Sequence, residues 1–285
     1  MDNHPFVFRC FTHSRYGGVV VTPPKNIYNV RMMKETLLTP RWIIATIVVL
    51  AAIGGMVRLG FWQLERLEQR RTLNRQTAQQ LNSPPLDLNQ ALADGSLKPE
   101  DLNQMEYRQV TARGQYRFAE TVALRNQVWE NRPGVHLLTP LYLDNSDFAL
   151  LVDRGWIPLE QTSPEHWAQY DQPGAIILRG QIRLAQNRRR FGVPDPTLAP
   201  GQTRLDAWNA VNLERIAAQV EGNLLPVFAV AAPENDNAAM PYRVVEQPDL
   251  SEGPHLGYAI QWFSFAAVAA VGYPILVRKQ LYEHH

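Results

Sequence analysis

The stretch LGYAIQWFSFAAVAAVGYPILV, residues 256–277, runs for 22 residues without a charged side chain and stops at Arg278 and Lys279. A helix needs about 20 apolar residues to cross the hydrocarbon of a bilayer, so the run has the length of a membrane span. The competing reading, a buried core helix, is disfavoured by that length and by the paired cations at its end. Pro274 falls near the end of the run, where a missing backbone donor costs least.

Toward the N-terminus, WIIATIVVLAAIGGMV, residues 42–57, is a second uncharged run, of 16 residues. Sixteen is short for a span. Arg58, however, can reach the headgroups with its guanidinium, which lets the helix extend to about Leu64 with Trp42 and Trp62 at the two interfaces. Gly54, Gly55 and Gly257 are the candidates for close helix approach.

Orientation follows from the short flanks. Residues 1–41 carry six basic side chains against Asp2 and Glu35, and the tail begins with Arg278 and Lys279, so both ends are expected in the cytoplasm. The chain then divides into a cytoplasmic leader over 1–40, a first span over 41–64, an extracytoplasmic domain over 65–254, a second span over 255–277 and a cytoplasmic tail over 278–285. The leader lacks a small-residue cleavage pattern and reads as part of an uncleaved anchor in the cell membrane. Disorder before Met32 and Met33, translation starting at either of them, and a mitochondrial transit peptide directing the chain to the inner membrane are the alternatives.

With 28 basic and 27 acidic residues the net charge is +1, so no global field favours nucleic acid. The single cysteine, Cys10, allows neither an internal disulfide nor a cysteine-pair metal site. There is no Gly-rich phosphate loop, no His-Glu-x-x-His and no Gly-x-Ser-x-Gly.

Beyond Leu64 strong helix formers continue without a breaker to Pro84 and Pro85, so the first helix is expected to run on past the membrane with its arginines as a basic collar. The rhythm then changes to short runs rich in β-formers over 107–114, 122–126, 136–143, 149–153, 176–184 and 225–231. Residues 131–134 and 144–147 read as turns, 212–222 as a helix, and 188–203 and 233–241 as exposed loops. The fold class is therefore an α+β membrane protein: two transmembrane helices flank an extracytoplasmic antiparallel β domain, a small barrel or sandwich, with one or two helices.

Three stretches in order resemble the Surfeit locus protein 1 family. They are Gly60-Phe61-Trp62-Gln63-Leu64-Glu65-Arg66; Pro133-Gly134 with Leu138-Thr139-Pro140-Leu141 and then Leu151-Val152-Asp153-Arg154-Gly155-Trp156-Ile157-Pro158; and His255-Leu256-Gly257-Tyr258-Ala259-Ile260-Gln261-Trp262-Phe263. Gly253-Pro254 stands where many members have asparagine, and Asn212 where an aspartate is common. The resemblance implies a non-enzymatic role in assembling haem-copper oxidases such as cytochrome c oxidase, with oxidase subunits and other assembly factors as partners. For some bacterial members it also implies association with haem a.

His255 is the candidate ligand, at the first turn of the second span, where the helix dipole favours a neutral ring with a lone pair for iron. Tyr258 and Trp262 follow at three and seven residues on the same face. If that face meets the first helix, Trp62 packs beside a porphyrin and Arg66 or Arg58 pairs with its propionates. The plain alternative has His255 capping its helix or bonding a loop carbonyl, with the aromatics as an interfacial belt. Arg154-Gly155-Trp156 reads as structural, and His136 as a satisfied sheet histidine. A cofactor-free scaffold, and a sensor or hydrolase with an external ligand, remain as other functional readings.

Overall fold

A computed structural model describes residues 39–185, 195–198, 201–234 and 237–283. The leader, with Cys10, and most of the expected loop over 188–203 lie outside the described residues. Two compact units emerge: residues up to Arg66 with those from Pro254 onward, and Leu67–Gly253.

The first helix, α1, runs unbroken over Pro40–Asn82. Proline at a first helical position already has the helical φ and no donor to waste, and Pro84 and Pro85 bar continuation at the other end. The last helix, α4, spans His255–Glu283 with Pro274 inside it. Both are long and apolar enough to cross a membrane, and only 6% of each apolar window is buried within the protein. A core helix would be covered by its own chain; these leave their apolar surface for another apolar phase.

The central unit is a sheet closed on itself. Its strands are β1 (Leu86–Asp87), β2 (Gln109–Tyr116), β3 (Val122–Trp129), β4 (Arg132–Leu143), β5 (Phe148–Pro158), β6 (Ala175–Leu184), β7 (Ala207–Trp208) and β8 (Asn223–Ala231), with short helices α2 (Leu88–Ala93) and α3 (Leu213–Ala217). The order is β1-β2-β6-β8-β5-β4-β3-β7, and a further β2–β4 pairing joins β2, β6, β8, β5 and β4 into a ring. Closure removes the exposed edges those strands would otherwise carry. Most pairings are antiparallel as expected, but β5–β8, β1–β2 and β3–β7 are parallel.

Alternation along each strand decides which side chains enter. Val110 and Ala112 of β2, Leu141 and Leu143 of β4, Leu150 and Val152 of β5, and Leu225 and Val227 of β8 fill one core, against Leu88 of α2. The opposite face, with Leu138, Leu151 and Phe228, is covered by Trp208 and by Leu213 and Ile216 of α3. Each such aliphatic side chain contributes about 2 kcal/mol by leaving water. Where β2 reaches β4, Asn89 completes the seam: its Nδ2 donates to the carbonyls of Arg113 (2.9 Å) and Asp144 (3.0 Å), and its Oδ1 accepts from the Arg113 N–H (2.7 Å).

Two local expectations are corrected. The turn expected over 131–134 lies two residues earlier, over 129–132: Glu130 and Asn131 both have positive φ, 48° and 61°, between the paired Trp129 and Arg132, so Arg132, Pro133 and Gly134 belong to β4. Positive φ at both central residues gives the twist that a two-residue hairpin requires. The helix expected over 212–222 is only Leu213–Ala217, with Asn212 as its cap accepting from the Arg215 N–H at 3.2 Å.

Candidate functional site

The helix unit places His255 at the first position of α4, half-buried, with Nδ1 2.9 Å from Oε1 of Gln63 on α1. The expectation that the ring caps its own helix or bonds a loop carbonyl is not met; the Tyr258 N–H bonds the Pro254 carbonyl instead, at 3.1 Å. Two further contacts join the helices. Thr46 Oγ1 lies 2.6 Å from the Tyr273 hydroxyl, and the Phe61 and Phe263 rings meet edge to face at 5.4 Å.

Gly60 makes the close approach. A Cβ at Gly60 would lie 2.6 Å from the Phe263 ring, whereas Gly54, Gly55 and Gly257, expected in that role, have nothing within 4 Å. Phe263 fills the space that Gly60 leaves, and Ala259 and Ala266, both buried, lie four residues before and three after it on the same face of α4. This sets which side of α4 meets α1. Phe263 is the aromatic at the contact, Trp262 packs on Phe265 of its own helix at 6.3 Å, and Tyr258 is 49% exposed. On α1, Trp62 is 41% exposed with the Arg66 guanidinium 5.7 Å from its ring centre. Of the five sequence-derived residues, Trp62 and Arg66 meet each other on α1, His255 meets Gln63, and Tyr258 and Trp262 stand on α4. No described contact joins Trp62 to Tyr258 or Trp262.

The arginine collar is also more committed than a solvated face. Arg71 holds both carboxylate oxygens of Glu252, at 2.8 and 2.9 Å. Arg70 donates to the carbonyls of Asp249 (2.8 Å) and Ser251 (3.1 Å), and Asn74 to that of Leu250 (2.6 Å). One helical face thus grips the residues that precede Pro254.

The second polar centre lies in the barrel, around the motif on β5. Asp153 accepts from the Gly155 N–H through Oδ1 (3.0 Å) and pairs with His136 Nδ1 through Oδ2 (2.7 Å). Burial alone would lower the His136 imidazole, but the charge and hydrogen bond of Asp153 outweigh it and hold its pKa above the ordinary value. Arg154 is buried, donates to the Tyr170 carbonyl, lies 3.8 Å from Asp171 and stacks on Tyr116 and Phe118 at 5.2 and 4.9 Å. Burial pushes the Tyr116 hydroxyl up to about 12. Gly155 has φ +119°, and a Cβ there would meet the Tyr242 carbonyl at 2.5 Å. Trp156 exchanges backbone bonds with Tyr242 at 2.7 and 2.9 Å and stacks on its ring. Arg243 donates to the Arg154 carbonyl at 3.2 Å and pairs with Glu234 at 2.8 Å. Gly155, Trp156 and Arg243 hold strand β5 against the 237–243 segment, while Asp153 ties it to β4 and Arg154 to Tyr170 and Asp171.

Sequence reasoning missed Gln63, Phe263, Asn89 and Arg243. Only Gln63 carried a signal: it is a polar side chain beside Trp62 at the end of an apolar helix, where an amide needs a partner.

A closed β-barrel inserted between two long apolar helices, with an oriented imidazole at the start of the second, defines a class of barrel-domain proteins framed by two helices fit to cross a membrane. Comparison makes the class specific: the chain belongs to the SURF1 family, whose match covers residues 50–267. It is 25% identical over 227 residues to Surfeit locus protein 1 of Gallus gallus, covering 74% of this chain and 68% of that one. It is 27% identical over 241 residues to an uncharacterized SURF1-like protein of Mycobacterium bovis, covering 83% of each. It is 26% identical over 239 residues to a SURF1-like protein of Rickettsia bellii, covering 82% of this chain and 90% of that one.

Proposed function

We propose that this chain is a membrane-anchored assembly factor for a haem-copper oxidase such as cytochrome c oxidase, and that it takes up haem a transiently at the start of α4 for delivery to the large catalytic subunit. The observation that carries the reading is His255, an imidazole oriented by the opposite helix rather than turned onto its own backbone. Among the described residues no three of His, Cys, Asp and Glu gather as a metal-binding group. A histidine placed singly suits a macrocycle that brings its own metal and asks for one axial nitrogen.

The surroundings fit the same group. Phe61, Trp62, Leu256 and Tyr258 are exposed, apolar for most of their surface, and suited to a porphyrin face, while Arg66 offers a guanidinium for propionates. When bound, the group supplies an iron centre. The chain's own part is to hold the imidazole, shield the ring and neutralise the carboxylates. In this reading both ends are cytoplasmic, the barrel lies outside the cell membrane, and the partners are oxidase subunits, other assembly factors and lipid.

The test is the visible spectrum of protein purified in detergent from cells that make haem a, with His255→Ala beside it. A haem band in wild type that is lost in the variant supports the reading. A colourless wild type, together with oxidase activity that falls on gene deletion, leaves the cofactor-free scaffold. A reporter fused near Asn145 that proves cytosolic overturns the topology.

A further inference from the structure

We propose that Gln63 is a positioning residue for His255, accepting the Nδ1 proton and so presenting Nε2 as the coordinating atom. The inference rests on the haem reading above and adds a residue and an atom to it. A glutamine side-chain oxygen can only accept, so with Oε1 turned to Nδ1 at 2.9 Å the proton is assigned to Nδ1. A neutral imidazole has one N–H, and with it on Nδ1 the lone pair is on Nε2.

The contact is built, not incidental. Gln63 lies one turn after Gly60 on α1, and His255 two turns before Phe263 on α4, so the packing of Phe263 against Gly60 sets the helix separation at which the amide reaches the ring. The choice of an amide over a carboxylate also has a consequence. A carboxylate on Nδ1 would pull the proton away and make Nε2 a stronger donor, whereas a neutral oxygen fixes tautomer and orientation with little added basicity. A ligand that must later release its iron needs orientation more than strength.

The experiment has a haem-free arm and a haem arm, both on the full chain in detergent micelles. Nitrogen-15 spectra of histidine-labelled protein, at alkaline pH where imidazoles are neutral, read the tautomer of His255, assigned by its loss in His255→Ala. The expected wild-type result is a protonated Nδ1 and an unprotonated Nε2; Gln63→Leu should mix the tautomers, and Gln63→Glu, which accepts but cannot donate, should keep the wild-type one. In the haem arm Gln63→Leu should bind haem on the order of 10- to 100-fold more weakly, with Gln63→Glu restoring affinity and shifting the spectrum. A proton on Nε2 in wild type, or an unaltered tautomer in Gln63→Leu, overturns the role of Gln63 alone. Haem retained unchanged by His255→Ala overturns ligation itself, and Nε2 with it. Failure of Gln63→Leu to fold leaves Gln63→Glu to decide the matter: a Glu variant with Nε2–H overturns the proposal.

Discussion

His136 and His255 are both oriented through Nδ1, yet their partners differ in kind. His136 takes a carboxylate, Asp153, in a barrel wall that also buries Arg154 and Arg243. His255 takes the neutral oxygen of Gln63, and the contact of Thr46 with Tyr273 between the same helices is neutral as well. Carbonyls and counter-ions converge on the barrel centre from several strands, which makes a buried charge bearable there. A pair of helices with apolar surroundings offers few such groups, and dipoles are cheaper to enclose than ions. A carboxylate partner thus distinguishes the histidine of the barrel wall, and an amide partner the one between the helices.

Gly155→Ala should break the first region most severely. At φ +119° an alanine is strained, and its Cβ would press on the Tyr242 carbonyl at 2.5 Å, so a loss of about 4 kcal/mol is expected from strain and overpacking together. Thermal unfolding of the full chain in detergent, followed by tryptophan fluorescence, reads it. Tolerance of the alanine would mean that the 237–243 segment is not held as described.

His136→Leu comes next, at about 2 kcal/mol, because it removes a charged hydrogen bond while Asp153 keeps the Gly155 N–H. Its sharper form is a pH profile. The folded-state pKa of His136 is raised, so its contribution to stability is complete below the unfolded value of about 6.5 and is lost as pH rises through the folded one. Wild type should lose stability across that window relative to His136→Leu. A difference that grows with rising pH would reverse the assignment of the pair.

What the sequence shows of these two regions depends on how local the cause is. Uninterrupted apolar length is a local property, so 256–277 and the run ending near Leu64 are legible as long apolar helices at once. Runs of β-formers bounded by turn residues made six of the strands legible, because branched and aromatic side chains suit a pleated, half-buried surface. The choice of a closed barrel over a sandwich was not legible: it rests on Gly114 meeting Leu143 and on Asn89 bridging Arg113 to Asp144, pairings no local pattern encodes. Parallel pairing of β5 with β8 is hidden for the same reason. His255 stood out by position, but its partner is 192 residues away, and nothing in either segment alone says that they meet. Spacing from His255 groups Tyr258 and Trp262 on one face of α4, but it does not encode that the hole left by Gly60 on α1 selects Phe263.

The smallest expected effect concerns the second region and separates its two neutral partners. Thr46 Oγ1 also lies 2.7 Å from the Trp42 carbonyl, to which its one proton must go, so Tyr273 is the donor in the 2.6 Å contact. Tyr273→Phe removes that donor and leaves Thr46 still bonded to its own helix. Thr46→Val leaves a hydroxyl on α4 without its acceptor, so the valine should cost more, about 1 kcal/mol against about 0.5, in detergent-phase unfolding of the full chain. The double variant should then cost no more than the valine alone, since contact residues are not additive. Additive losses would show that the two hydroxyls do not depend on each other, and would assign the fit of the helices to Gly60 and Phe263 instead.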